Sequence, residues 1–266
     1  MILEIAGMYL AVGLIAGVLA GLLGIGGGLV LVPMLIFCLG KQAVLPDYIM
    51  HISLGTSLAT IIFTSISSFM AHHRRGAVHW HIVRRIAPGI LIGTFFGTFI
   101  VSHMSTGSLK IFFCIFLYIV ATRMLINKQA KATRKLPETL GMFSTGSVIG
   151  TISALVGIGG GSLSVPFMIW CNIPAHQAIG TSAAIGFPIA IAGTLGYIVN
   201  NLHVSGLPAY SLGYVYLPAL AAIVCGSVLT APLGVRLAHA LPVEHLKRIF
   251  AVFLYFTATR MAWGLF

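Results

Sequence analysis

Apolar residues run through this chain in continuous blocks long enough to cross a bilayer, broken by short polar stretches. In the first half the blocks predict helices near 5–23, 28–39, 51–71, 86–102 and 109–126. In the second half they predict helices near 140–156, 162–171, 176–199, 213–235 and 246–264. The second element of each half follows a glycine-rich turn and has the length of about half a membrane crossing. The expected fold class is all-α, a polytopic membrane protein with short broken helices after its glycine turns.

The pattern occurs twice because the sequence does. Residues 20–33, AGLLGIGGGLVLVP, and 153–166, SALVGIGGGSLSVP, agree at eight of fourteen positions. LGTS at 54–57 is answered by IGTS at 179–182, and LKIFFCIFLYIVATRM at 109–124 by LKRIFAVFLYFTATRM at 246–261. Three blocks in one order mean a duplicated unit. The repeats are expected to span 1–126 and 140–266, joined by a basic cytoplasmic linker at 127–139.

Composition removes the other classes. With 58% hydrophobic and 7% charged residues, the chain lacks the charged surface that a water-soluble domain needs. Its net charge of +11 does not indicate nucleic acid, since the fifteen Lys and Arg lie between membrane-length apolar runs. The apolar N-terminus lacks a basic n-region and recurs inside the chain, so it is expected to be retained. Cys38, Cys114, Cys171 and Cys225 have neither disulfide nor metal spacing.

Charge instead predicts orientation. The segment HHRRGAVHWHIVRR at 72–85 and the stretch from Arg123 to Lys135 are rich in basic residues and should be cytoplasmic, whereas 200–212 carries no Lys or Arg. Counting through, twelve of fifteen basic residues face inward, leaving Lys41, Lys110 and Arg260 outside. Equivalent loops then fall on opposite sides, so the repeats are inverted. Inversion requires the long first helix and short second helix of each half to form a hairpin, tipped by the glycine turn. The two tips should meet near the middle of the membrane.

Gly24, Gly26, Gly27 and Gly28, with Gly157, Gly159, Gly160 and Gly161, are the first candidate site residues. Each cluster precedes a helix start, whose unpaired N–H groups and dipole attract an anion; tight helix packing is the alternative. Thr56, Ser57, Thr181 and Ser182 of the GTS motifs either donate to that anion or bond back to their own helices. His51 and His176, matched before each GTS, are candidates for a proton-linked role or for plain interfacial positions. His72, His73, His79, His81, His239 and His245 read as interfacial loop residues. Glu4, Asp47, Glu138 and Glu244 all lie in loops or at helix ends, which argues against a carboxylate relay or a cation site. Arg123 and Arg260 read as helix-end anchors or as anion-attracting mouths, and Cys38 and Cys171 as packing residues. No nucleophile with a nearby base and no metal-ligand set stands at plausible spacing, so neither an enzyme nor a cofactor is expected.

The duplicated GIGGG with its short helix and proline (Pro33, Pro166), GTS in the third helix and ATRM closing the fifth resemble the TauE/SafE sulfite exporter family, also called TSUP. The resemblance covers essentially the whole chain. It implies a multi-pass protein of the cell (inner) membrane that moves sulfite, sulfonates such as sulfoacetate, thiosulfate or related anions outward. The family's glycine motif maps onto Gly24 to Gly28 and Gly157 to Gly161. Where Leu29 is answered by Ser162, the extra donor leads us to expect more substrate contacts from the second half. The expected partners are a small sulfur oxyanion or organosulfonate and membrane lipid, with a homodimer open. The leading expectation is an alternating-access anion transporter, and the alternative is a passive anion channel.

Overall fold

Ten helices make up nearly all of the described chain: α1 (Ile2–Leu23), α2 (Gly28–Gly40), α3 (Pro46–His73), α4 (Trp80–Ser102), α5 (Thr106–Ile126), α6 (Thr139–Val156), α7 (Gly161–Trp170), α8 (Ala175–Val199), α9 (Leu217–Ala240) and α10 (Val243–Trp263). They were obtained as a computed structural model, which describes residues 2–24, 27–42, 44–126, 135–202, 204, 206–240 and 243–263. Among those residues, seven helices are long and apolar enough to cross a membrane, while α2 and α7 are shorter. The protein is an all-α polytopic membrane protein.

Helix boundaries differ from the hydropathy blocks in instructive places. Pro46 starts α3 a turn earlier than expected, because proline is pre-organised for the first helical position. This puts His51 inside the helix. Likewise α4 begins at Trp80, so Arg84 and Arg85 belong to its opening turns rather than to a loop. Pro33 and Pro166 lie inside α2 and α7 and do not end them. A small antiparallel hairpin, β1 (Ser211–Leu212) and β2 (Val215–Tyr216), precedes α9. Its two-residue turn opens on Gly213 at φ 52°, and nothing in the hydropathy blocks marks it.

The centre is the antiparallel pair α3 and α8, the most deeply buried of the spans. Gly193 of α8 packs on Leu58, and Gly180, at the other end, packs on the Ala77 carbonyl just beyond α3. These two helices carry the equivalent GTS motifs, and they run in opposite directions.

Each half is bound to the other rather than folded on itself. Gly13, Gly17 and Gly21 of α1 meet Ile223, Ser227 and Ala231 of α9 in turn, so these helices run parallel at backbone contact. The same arrangement recurs where Gly89, Gly93 and Gly97 of α4 meet Phe143, Ser147 and Thr151 of α6. Lipid tails are as apolar as leucine, so membrane helices associate through close packing, and four-residue glycine spacing allows it. The third pairing joins α5 to α10. Tyr118 Oη and Thr259 Oγ1 lie 2.9 Å apart, and Tyr255 Oη and Thr122 Oγ1 lie 2.5 Å apart. Tyr118 and Tyr255 are equivalent, as are Thr122 and Thr259, so this quartet is closed by the repeat itself.

The outer faces are apolar. A groove lined by Ile92, Phe95, Phe96, Phe99, Ile191 and Leu195 runs between α4 and α8, a surface suited to lipid chains.

Candidate functional site

The glycine turns join α1 to α2 and α6 to α7. Gly24 (φ 65°) and Gly157 (φ 69°) end the long helices, and Gly27 (φ 76°) and Gly160 (φ 75°) cap the short ones. All four are left-handed, a conformation that residues with a β-carbon avoid. Gly26 lies outside the described residues. The first residues of α2 and α7, Gly28 and Gly161, are buried, and so is Gly159, whose carbonyl faces Gly186 of α8.

The two turns touch. A β-carbon on Gly28 would sit 2.4 Å from the Gly157 carbonyl oxygen and 2.8 Å from the Ile158 Cα. Only glycine permits this approach, and it brings the start of α2 against the opposite tip.

The GTS hydroxyls do not bond back to their own helices; they bond to other segments of the chain. Ser57 Oγ donates to the Gly157 carbonyl at 2.7 Å, and its equivalent Ser182 Oγ donates to the Gly24 carbonyl at 3.0 Å. Each serine therefore holds the hairpin tip of the other half. Thr56 Oγ1 accepts the Tyr216 amide and Thr181 Oγ1 the His79 amide, both at 3.0 Å, so each threonine fixes the chain leading into α9 or α4. All four side chains are fully buried.

A second polar group surrounds the α7 tip, and only part of it was expected. Ser153 at the end of α6 is fully buried and its hydroxyl has no hydrogen-bond partner among the described residues; it lies 3.3 Å from where a Gly160 β-carbon would be. Ser162 Oγ, in the first turn of α7, is also buried and has no partner among the described residues. Ser164 Oγ lies 2.8 Å from Ser182 Oγ. The corresponding residues of the first half are Ala20, Leu29 and Leu31. Sequence reasoning found Ser162 and missed Ser153 and Ser164, although both stand in the aligned repeat block as polar-for-apolar exchanges.

The matched histidines diverge. His51 is 4% exposed, its Nε2 lies 3.2 Å from the Val101 carbonyl and 3.1 Å from that of Met104, and its ring packs against Tyr214 in a tilted contact, centroids 4.9 Å apart. It caps the end of α4, where a donor meets carbonyls without helical partners. His176 is exposed. His72, expected in a loop, occupies the last turn of α3, buried, with Nε2 3.1 Å from the Gly21 carbonyl. Its equivalent, Tyr197, donates to the Ala154 carbonyl at 2.9 Å. These two side chains secure the ends of α1 and α6 next to the glycine turns. The side chains of His239, Glu244 and His245 lie outside the described residues.

Among the described residues, Lys, Arg, Asp and Glu stay away from this centre. Every described Lys and Arg is exposed except Lys110, which is half-buried, and Glu4, Asp47 and Glu138 are exposed. Arg123 and Arg260 stand at the ends of α5 and α10. Cys38, Cys114 and Cys171 are buried and Cys225 is exposed. Near the ends of α1 and α2, Glu4, Cys38, Lys41 and Gln42 line a cavity of about 400 Å³. Gln42 links it to the interior by accepting from Tyr216 Oη at 3.3 Å and donating to Tyr9 Oη at 2.7 Å. Outside the spans, burial pushes the Tyr214 hydroxyl up to about 12, with nearby Tyr48 adding to the shift.

A helical bundle of membrane spans around paired broken helices is an architecture that transporters use. The comparisons agree: residues 9–261 match the family described as Sulfite exporter TauE/SafE, and the chain belongs to that family. It is 42% identical over 255 residues to a probable membrane transporter protein of Haemophilus influenzae, covering 96% of this chain and 97% of that one. It is 28% identical over 225 residues to the probable membrane transporter protein YunE of Bacillus subtilis, covering 77% and 82%. A probable membrane transporter protein of Methanocaldococcus jannaschii is 28% identical over 242 residues, covering 90% and 89%. No solved structure matches.

Proposed function

We propose that this protein is a secondary transporter of the cell membrane that exports a small sulfur-containing anion, namely sulfite, a sulfonate or thiosulfate, by alternating access. The substrate site is the meeting point of the two glycine tips. The observation that carries this reading is the direct contact of Gly28, at the head of α2, with Gly157 in the turn that leads into α7, together with the buried Ser153 and Ser162 hydroxyls at the α7 tip, which have no hydrogen-bond partner among the described residues. Helix N-termini of this kind hold anions in inverted-repeat transporters.

Equivalent groups that touch across a two-fold axis in the membrane plane lie at its mid-depth. The tips of inverted hairpins therefore meet where a substrate must be reached from both sides in turn. In the closed arrangement the Ser57 and Ser182 hydroxyls are bound to tip carbonyls. Parting the tips releases those two donors to the arriving anion. Closure on the other side restores them to the carbonyls. The second half supplies most of the side-chain donors, since Ser153, Ser162 and Ser164 have apolar equivalents.

The test is flux of radiolabelled sulfite, methanesulfonate and thiosulfate in proteoliposomes under an imposed ion gradient. Gly160→Leu, whose β-carbon would lie 2.4 Å from Ile189 Cδ1, is expected to abolish it. Ser153→Ala, which adds no bulk, is expected to reduce it. Unchanged flux in both variants would sink the tip site. Anion current independent of any gradient would support the passive channel instead.

A further inference from the structure

We infer that Ile189 is the gate of the anion site: its δ-methyl fills the place at the head of α7 that an arriving anion takes, and swings aside to admit it. This rests on the reading above that the α7 tip holds the anion.

Three side chains converge on Gly160, the residue that caps α7. A β-carbon placed there would lie 2.4 Å from Ile189 Cδ1, and 3.3 Å from both Ile149 Cγ2 and Ser153 Oγ. The helical bonds of α7 begin with the Leu163 and Ser164 amides, which donate to the Gly160 carbonyl. The Gly161 and Ser162 amides therefore have no partner within the helix. Ser153 is fully buried, and its hydroxyl has no hydrogen-bond partner among the described residues. Such a donor destabilises the fold unless an acceptor reaches it in another state of the protein. A sulfur oxyanion at the helix head would accept from the hydroxyl and the amides together. In this conformation the Ile189 methyl stands there instead.

The two tips are closed in different ways. At Gly27, the equivalent of Gly160, a β-carbon would lie 2.8 Å from the Ala16 carbonyl oxygen. That closure is backbone of α1 and cannot move without the helix. At Gly160 the nearest atom is the far end of an isoleucine, and a change of rotamer clears it. The first half has Thr64 where Ile189 stands and Ala20 where Ser153 stands. The movable closure and the unsatisfied donor thus belong to the same half. Beside Ile189, α8 is also weakened by Pro188, which the first half replaces with Phe63. Proline removes one helical hydrogen bond, so α8 can bend at the gate.

Admitting the anion takes one buried methyl out of its contact. Ile189→Val deletes that methyl, Cδ1, and no other atom, so it is expected to tighten anion binding about fourfold, the equivalent of one buried methyl group. The factor should be the same for sulfite, methanesulfonate and thiosulfate, because the methyl moves whichever anion enters.

The full-length protein in detergent is titrated with each of these anions, and the concentration giving half of the rise in melting temperature is read. Radiolabelled flux in proteoliposomes gives KM beside it. Both are expected to fall about fourfold in Ile189→Val. Ile189→Thr, the residue of the other half, also lacks Cδ1 and should shift both in the same direction, which keeps the test independent of the folding of one variant. Ser153→Ala should raise both. Ile86→Val, which loses the same methyl from a buried isoleucine of α4, should change neither.

Half-saturation in Ile189→Val and Ile189→Thr at or above that of the unaltered protein overturns the gate, while saturable flux leaves the transport reading intact. An equal fall in Ile86→Val assigns the effect to general loosening and overturns the gate too. Absence of flux and of stabilisation for every anion, from protein that elutes as a single folded species, overturns the transport reading and the gate with it.

Discussion

The Ser57 hydroxyl donates to the carbonyl of Gly157, one hundred residues further along the chain, at 2.7 Å. Its counterpart, Ser182 to Gly24 at 3.0 Å, makes the same bond in the other direction. Together they act as two latches on one contact. Ser57→Ala is expected to leave the Gly157 carbonyl buried without its donor and to destabilise the protein by about 1–3 kcal/mol. Ser182→Ala, which also removes the bond to Ser164, should cost more. Thermal unfolding of the purified variants, side by side, measures both.

Gly28 and Gly40 stand at the two ends of α2 and separate the effect of contact from that of helix propensity. A β-carbon on Gly28 meets the Gly157 carbonyl at 2.4 Å, whereas one on Gly40 meets nothing within 4 Å. Gly28→Ala is expected to lose flux and stability together. Gly40→Ala should be neutral or stabilise by up to about 1 kcal/mol, since it removes freedom only from the unfolded chain. Equal behaviour of the two variants in melting and transport would show that the tips do not touch as described.

The glycine faces of α1 and α4 should respond alike. Gly17→Ala drives a β-carbon to 2.4 Å from the Ser227 carbonyl, and Gly93→Ala to 2.1 Å from that of Ser147. Both substitutions are expected to lower the melting temperature to a similar degree, because the pairs α1–α9 and α4–α6 are the same interface made twice. Gly7→Ala, on α1 but in open space, should leave it unchanged.

Tyr118 and Thr259 make one half of the quartet joining α5 to α10. A double-mutant cycle with Tyr118→Phe and Thr259→Val is expected to give a coupling of about 0.6 kcal/mol, the usual strength of an interhelical hydrogen bond in a membrane. The cycle between Tyr255→Phe and Thr122→Val should give a similar value. Melting in detergent or lipid reads both cycles.

Much of the candidate site was legible because the repeat prints it twice. Gly24 and Gly157 stood out as aligned, and their left-handed conformation follows from glycine at helix ends. Ser57 and Ser182 were legible as residues but not as bonds. Their partners lie across the chain, and neither periodicity nor hydropathy carries that distance. His51 and His176 show the opposite failure. They align in sequence, yet one caps α4 and the other is exposed. Ser153 and Ser164 were visible as exchanges against Ala20 and Leu31, but their meaning depends on the α7 tip that gathers them.

By itself the sequence determined that this chain belongs in a membrane, that it is helical, and that it is one unit written twice, because hydropathy and repetition are local properties of a string. It also determined the glycine turns that end α1 and α6, since glycine frees its own backbone. Only the tertiary structure decided that α1 lies on α9 and α4 on α6, so that each half is completed by the other. It alone decided that Gly28 meets Gly157 and that the serines reach across. Those are choices among many apolar surfaces of equal hydrophobicity, and close packing of small residues, not burial from water, selects between them.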